Sequence, residues 1–420
     1  MQRIAIIGAG AAGMSAAVFA ADRGAAVTVF ERNALLGRKL GITGKGRCNL
    51  TNDCTPEEFM RNITANGKFL FSAIRRFDSE STKAFFGERL GVPLKTERGN
   101  RVFPVSDKAT DIVLALKNEM RRLGVTVLTE RVTDIDAKET ESGKRISAII
   151  TEKRRFTDFD SVIIATGGAS YPVTGSSGDG YRFAAGVGHT VKPLVPSLVG
   201  LCSNDRACGE MQGLSLKNVG ITVIKNENGK AVYRDFGELL FTHFGISVPT
   251  VLSASAHMRP MSAGAFSVNI DLKPALDEQT LDRRIMSDFE KYKNKDFANA
   301  LGDLLPAKMI PVIIARCGIP PALKVNSVTK EQRRALLSAL KCFRIDISGF
   351  RPIEEAIVTS GGVATSEIEP ATMRSRICKN LYFAGEVIDV DAYTGGFNLQ
   401  IAFSTAYSAA LAASEKENEV

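Results

Sequence analysis

Residues 1–31 read MQRIAIIGAGAAGMSAAVFAADRGAAVTVFE, and the fold turns on them. Residues 4–7 form an apolar run suited to a buried strand. Gly8, Gly10 and Gly13 follow at G-x-G-x-x-G spacing, an Ala-rich helix is expected over 14–23, and a second strand over 26–30 ends in Glu31. Each piece has a task at a dinucleotide. Gly8 makes the tight turn, Gly10 lets the backbone approach a pyrophosphate, and Gly13 lets helix and strand pack closely. The helix start, including Ala11, offers unpaired N–H groups and a positive dipole end to phosphates. Glu31, with Arg32 beside it, can take hydrogen bonds from ribose hydroxyls. The alternative, a Gly-rich turn arising by chance, explains none of this order.

Working outward, the chain has 420 residues, room for two or three domains, and its 44% apolar and 24% charged residues are ordinary for a soluble globular protein. Residues 4–21 are uncharged after Arg3, but cleavage there as a signal peptide would destroy the glycine motif. Nowhere do 18 apolar residues run together, so no membrane span is expected. The seven cysteines (48, 54, 202, 208, 317, 342, 378) include no C-x-x-C pair. Reduced thiols in a cytoplasmic protein fit this better than a disulfide framework, and no metal site is expected. The net charge of +8, from 54 Lys and Arg against 46 Asp and Glu, reads either as an ordinary surface or as a footprint for a polyanion. No RNP-type aromatic motif is present, nor any Trp.

Residues 37–52, GRKLGITGKGRCNLTN, crowd glycines with Arg38, Lys39, Lys45 and Arg47 against Cys48 and Asn49, which suits a ligand-facing loop better than a linker. Residues 55–123 read as a largely helical insertion whose aromatics form core, closed by Gly124. Strand patterns follow over 125–128, 132–135, 146–152 and 157–165, the last running into Thr166, Gly167 and Gly168, where open α/β sheets bind ligands. Residues 176–189 give a second glycine-rich helix start. From 191 the style changes to alternating antiparallel strands (β part 191–272 and 341–351) and a helical stretch (273–340). Residues 381–413 return to the opening style with a strand, Gly385 and Glu386, then YTGGFN and a long apolar helix. The expectation is therefore an α/β fold: a Rossmann-like cofactor domain in two segments, 1–190 and 352–420, around an inserted β-rich plus helical domain, 191–351.

These residues resemble known flavoproteins. ATGG (165–168) with SGDG (177–180) is similar to the fumarate reductase and aspartate oxidase class, and LYFAGE (381–386) to its terminal flavin motif. GKGRCNLTN (44–52), RVFPVSDKA (101–109), GELLFTHFGIS (237–247), VTSGGV (358–363) and TGGFNLQIAFSTAY (394–407) resemble the YhiN/BaiN-type flavoproteins over nearly the whole chain, most weakly over 255–340. The chain departs from that pattern at Val248, where the motif continues Ser-Gly-Pro, and at Phe397, where Tyr is common.

The resemblance implies an FAD-binding, two-domain flavoprotein, with FAD held non-covalently and NADH or NADPH as a transient reductant. No second G-x-G-x-x-G offers a separate nicotinamide domain. Gly8, Gly10, Ala11, Gly13, Glu31 and Arg32 would hold the adenosine diphosphate half. Val132 is either the adenine-side backbone contact or sheet core. Thr166, Gly167 and Gly168 would approach the flavin, while Gly385, Glu386, Asp389, Gly396, Phe397 and Asn398 would close over ribityl and ring, Asp389 being otherwise a turn residue. Lys39, Arg47 and Asn49 would face the cofactor. Catalysis would fall to Cys48, His243 and Arg47: Cys48 either protonates carbon or packs beside the ring, and His243 is a second proton donor or a structural residue.

The implied reaction is reduction of a C=C bond conjugated to a carbonyl. Uracil to dihydrouridine in 23S ribosomal RNA is the leading substrate, the Arg pairs 75–76, 121–122, 154–155, 283–284 and 333–334 tilting the reading toward RNA. Unsaturated 3-oxo bile acids or steroids are the alternative. A flavin-bearing RNA-binding or redox-sensing protein without turnover is a third possibility. Neither DNA nor a membrane is expected as partner, and the sequence leaves the oligomeric state open.

Overall fold

The computed structural model describes residues 1–141 and 143–415, and these divide into two compact units, 1–197 with 353–415 and 198–352.

The first unit is built on a five-stranded parallel sheet in the order Leu381–Phe383, Ser161–Ile164, Arg3–Ile7, Ala26–Glu31, Thr126–Thr129. Ile4, Ile6, Ile163, Ile164, Leu381 and Phe383 are fully buried, as strands covered on both faces require. The opening helix, Ala11–Asp22, begins three residues earlier than its sequence pattern suggested. Gly13 explains its closeness to the strand turn: a Cβ there would lie 1.9 Å from the Gly8 carbonyl oxygen. The closing helix, Phe397–Ser414, packs along it, with Phe19 edge-on to Tyr407 at 5.1 Å. Both helices are apolar nearly all round because neighbours cover them on most sides.

The 55–123 insertion is helical over Pro56–Met60, Gly67–Arg76, Ser79–Arg89 and Ala109–Arg122, with short strands between. Phe59, Phe69, Phe77, Phe85 and Phe86 are buried, as core rather than a stacking platform. Gln400, fully buried on the closing helix, fastens this insertion down. Its amide nitrogen donates to the Phe77 carbonyl at 2.9 Å and its oxygen accepts from the Thr82 hydroxyl at 2.8 Å and the Thr51 hydroxyl at 2.6 Å.

Residues 191–197 were expected in the inserted domain and belong instead to the first unit. Val191–Ser197 pairs antiparallel with Val358–Val363, and the Ser197 hydroxyl donates to the buried Asp391 carboxylate at 2.6 Å. Alternation alone could not reveal a partner 160 residues away.

The second unit has a seven-stranded antiparallel sheet led by Ser215–Lys225 and Lys230–Thr242. Helices Glu278–Lys291, Phe297–Ala300, Ile310–Cys317 and Lys330–Lys341 lie in sequence between two of its strands. Pro311 sits in the first turn of its helix, where its missing N–H is harmless, and Gly318 at φ +66° ends that helix before Pro320. This unit has its own core, including Phe241, Phe266, Phe297 and Phe343.

Candidate functional site

Two cavities open in the first unit at the carboxyl ends of its parallel strands, where a doubly wound sheet leaves a crevice. The smaller, of about 650 Å³, is walled by Gly8, Glu31, Arg32, Val132 and the 174–179 loop. The larger, of about 1250 Å³, lies among the starts of the opening and closing helices, Lys39, Asn49, Thr166, Gly167, Gly385 and Glu386. They share Gly10, Lys39, Ala165, Thr166 and Ser176, so they are two arms of one cleft.

The narrow arm is polar. Glu31 accepts from the Ala9 N–H at 2.8 Å and from the backbone and side-chain nitrogens of Asn33 at 2.8 Å each. A carboxylate has about four acceptor sites, so the same group that pins the Gly8–Gly10 turn to the second strand can take one more donor. The Arg32 guanidinium donates to the Ser177 hydroxyl at 2.7 Å, and Arg131 lies 3.3 Å from Asp179. Sequence reasoning missed Arg131 and Asp179, although the SGDG motif contains the latter.

In the wide arm Lys39 Nζ lies 2.8 Å from Glu386 and 2.7 Å from the Ser170 hydroxyl. Glu386 also accepts from the Thr359 N–H at 2.8 Å and the Ser170 hydroxyl at 3.2 Å. Burial opposes the Glu386 charge, yet Lys39 and these hydrogen bonds hold its carboxyl below the ordinary value. Ser170 carried no sequence signal, and Thr359 lay in the VTSGGV motif without a role assigned to it. They matter because chain segments almost 190 residues apart meet here.

The cleft has features of a receptor for an elongated anionic group with a flat apolar end. Asn49 Oδ1 and Thr166 Oγ1 are buried without a hydrogen-bond partner, an arrangement native proteins seldom leave unsatisfied. A Cβ at Gly10 would meet nothing within 4 Å. Neither the opening nor the closing helix has a side-chain cap or an acidic residue in its first turn, leaving N–H donors there. At the closing helix Gly396, at φ +101°, passes so close that a Cβ would lie 2.3 Å from the Thr51 carbonyl carbon. This donor set fits a flavin dinucleotide.

Of the residues expected at the cofactor, Gly8, Gly10, Ala11, Glu31, Arg32, Lys39, Asn49, Val132, Thr166, Gly167, Gly385, Glu386, Gly396 and Asn398 line the cleft. Gly13, Arg47, Cys48, Gly168, Asp389 and Phe397 are not among its lining residues. Gly13 and Gly168 act by close packing, a Cβ at Gly168 meeting the Thr359 hydroxyl at 2.5 Å. Phe397 points into the core, edge-on to Phe59 at 5.1 Å. Asp389 accepts from the Asn66 amide at 2.9 Å, and burial raises its carboxyl above the ordinary value.

The expected catalytic residues change most. Cys48 is fully buried and burial pushes its thiol up to about 12, so it is a closed core thiol rather than a cavity-facing acid. Arg47 is turned to Glu97 and Asp107, donating to the latter at 2.6 Å, with its guanidinium 4.2 Å from the Phe103 ring centre. The hydrogen bonds that Arg47 donates to Glu97 and Asp107 raise the arginine above its ordinary value, and the group braces a loop. His243 belongs to the second unit, in the turn after Lys230–Thr242, edge-on to Phe244.

The arginine pairs also read differently in three dimensions. Arg122 pairs with Glu119, Arg154 with Glu130, Arg155 with Asp136, Arg284 with Asp288 and Arg333 with Asp282. Five of these ten arginines are thus neutralised, each within its own unit. Among the described residues no helix is long and apolar enough to cross a membrane.

The family described as "HI0933-like protein Rossmann domain" matches residues 2–412. The chain is 30% identical over 420 residues to a 3-dehydro-bile acid delta(4,6)-reductase of Clostridium scindens, covering 99% of this chain and 100% of that protein. It is 31% identical over 414 residues to a ribosomal RNA dihydrouridine synthase of Haemophilus influenzae, covering 98% of each. Among solved structures, a 3-ketosteroid-delta4-(5alpha)-dehydrogenase from Rhodococcus jostii superposes with a TM-score of 0.53 at 15% identity, over 99% of this chain and 97% of the other, a likeness of fold.

Proposed function

This chain belongs to the HI0933-like family, and from that premise we propose that it is an FAD-dependent, NAD(P)H-consuming reductase of a C=C bond conjugated to a carbonyl, acting on uracil in ribosomal RNA. The observation that carries the flavin reading is the two-armed cleft. One arm has the acid and cation for a nucleotide, and the other has apolar walls, two uncapped helix starts and orphaned acceptors.

FAD bound there would supply the hydride. The chain's residues bind, orient and balance charge. Glu31 and Arg32 hold the adenosine half, and the N–H groups after Gly10 meet the diphosphate. Lys39, held by Glu386 and Ser170, fixes an ion pair in the wall of the wide arm, where its remaining N–H would donate to a bound ring. Asn49 and Thr166 supply acceptors for ring or ribityl donors. Cys48 and Arg47, which do not line the cleft, are given no part at the cofactor.

For the substrate, the support lies in the ribosomal RNA dihydrouridine synthases among the relatives, 31% and 32% identical. Neutralisation of half of the paired arginines weakens the charge argument, and this favours keeping a bile-acid or steroid enone as the second reading, with the Clostridium scindens relative behind it.

The purified protein is expected to carry oxidised flavin that bleaches on anaerobic mixing with NADH or NADPH. A flavin that stays oxidised with both would overturn the reductase. Deleting the gene is expected to abolish a dihydrouridine in 23S RNA. Unchanged RNA together with turnover of an unsaturated 3-oxo bile acid would move the assignment to the second reading.

A further inference from the structure

Three cations of the first unit that form no ion pair among the described residues lie around one exposed aromatic. On the helix Gly67–Arg76, Lys68, Phe71 and Arg75 are spaced i, i+3 and i+7 and so share one face, while Phe69, Leu70, Ala73 and Ile74 face the core. Phe71 is 44% exposed, whereas most phenylalanines are buried. The Arg75 guanidinium sits 5.2 Å from its ring centre. An open groove beside the ring is lined by Glu57, Met60, Arg61, Lys68 and Phe71. Among the described residues Arg61, Lys68 and Arg75 form no ion pair, and Glu57 is the single carboxylate lining the groove. The next residue, Arg76, is satisfied by the Ala371 carbonyl at 2.8 Å, which leaves its charge also uncompensated.

An exposed phenylalanine alone needs no explanation. Its combination with unpaired cations at helical spacing does, because long cationic side chains near acids usually find them, as they do at Arg122 and Arg154. We propose that this helix face is a docking surface for single-stranded RNA, with a base stacking on Phe71 and neighbouring phosphates held by Arg61, Lys68 and Arg75. Flat rings with a regular chain of anions match this geometry: base-aromatic stacking is sequence-tolerant and contributes about 1–3 kcal/mol per base. The cations supply the salt-sensitive part. The inference deepens the ribosomal RNA reading and rests on it, since an enone reductase of small lipophiles has no use for such a face.

The test uses the full-length flavoprotein and a fluorescein-labelled oligouridine, with binding read by anisotropy across a salt series. Wild type is expected to bind. Phe71→Ala is expected to weaken binding about five- to one-hundred-fold with the salt slope unchanged, whereas Lys68→Ala with Arg75→Ala flattens the slope by about 1.4. Phe71→Trp should retain affinity, and flavin content and melting temperature report that each variant is folded. If wild type binds but all the variants bind equally well, the surface is wrong while the RNA reading stands. If heparin binds as tightly as oligouridine and Phe71→Ala has no effect, base stacking is refuted. If wild type binds no RNA, the proposal fails, and mapping dihydrouridine in the deletion strain decides separately whether the ribosomal RNA reading fails with it.

Discussion

Cys48 shows how far a residue's chemistry depends on what surrounds it. Its neighbours in sequence, Arg47 and Asn49, suggest an activated thiol. Instead it sits at φ +60° in the core with its thiol pushed up to about 12, and a thiol in that state is neither nucleophile nor ready acid near neutrality. Iodoacetamide labelling of the native protein at pH 8, followed by peptide mass spectrometry, should leave Cys48 unmodified while the exposed Cys342 reacts. Equal labelling would reopen the thiol's catalytic role. Val248 is the second instructive residue. It stands where the family resemblance leads one to expect glycine, and its backbone adopts φ +78°, ψ 176°, a region suited to glycine. Relief of strain of about 1–3 kcal/mol, less about 0.5–1 kcal/mol for glycine's greater chain freedom, makes Val248→Gly stabilising. Thermal denaturation should show a higher melting temperature, and an unchanged or lower one would mean the valine is well accommodated.

Among elements, the helix Ala109–Arg122 illustrates a charge that only assembly creates. Glu119 near its end accepts from Arg122 at 2.8 Å and from Arg89 at 2.9 Å, and Arg89 also grips Asp22 at the end of the opening helix. Hydrogen bonding to Arg122, then to Arg89, holds the Glu119 carboxyl at about 2, against the opposing effect of burial. A carboxyl depressed in the folded state contributes stability that is complete above its ordinary value near 4.5, and loses it as pH falls toward 2. Glu119→Gln should therefore destabilise the fold at pH 7 by about 1 kcal/mol once solvent screening is allowed for, read as a lower melting temperature. That deficit should shrink between pH 4.5 and pH 2.5. A deficit independent of pH would assign the loss to packing. The opening helix and the closing helix were legible because glycine spacing and apolar periodicity are local signals. The strand Val191–Ser197 was misplaced because its partner, Val358–Val363, is remote in sequence.

For the molecule as a whole, net charge does not say which cations are free. A surplus of +8 is compatible with half of the arginines in the five pairs being neutralised at home. Replacing Arg154 and Arg155 by alanine should accordingly leave oligouridine affinity within about twofold, exposed ion pairs contributing little beyond their own neighbourhood. A loss comparable to that of the Lys68 and Arg75 variant would show that the pairs do face RNA. The two units have separate cores, and all residues that line the cleft belong to the first.

The sequence by itself determined the opening strand-turn-helix, its glycine turn and the apolar closing helix, because each follows from contacts within a few turns of chain. It also carried the motifs that identify the family. Only the tertiary structure decided which side chains face the cleft. Lys39 meets Glu386 across 347 positions and Thr359 meets Ala169 across 190, whereas Cys48, one residue from the cavity-lining Asn49, turns into the core. Direction at a site depends on long-range packing and on which charges find partners, and neither is written in the spacing of residues along the chain.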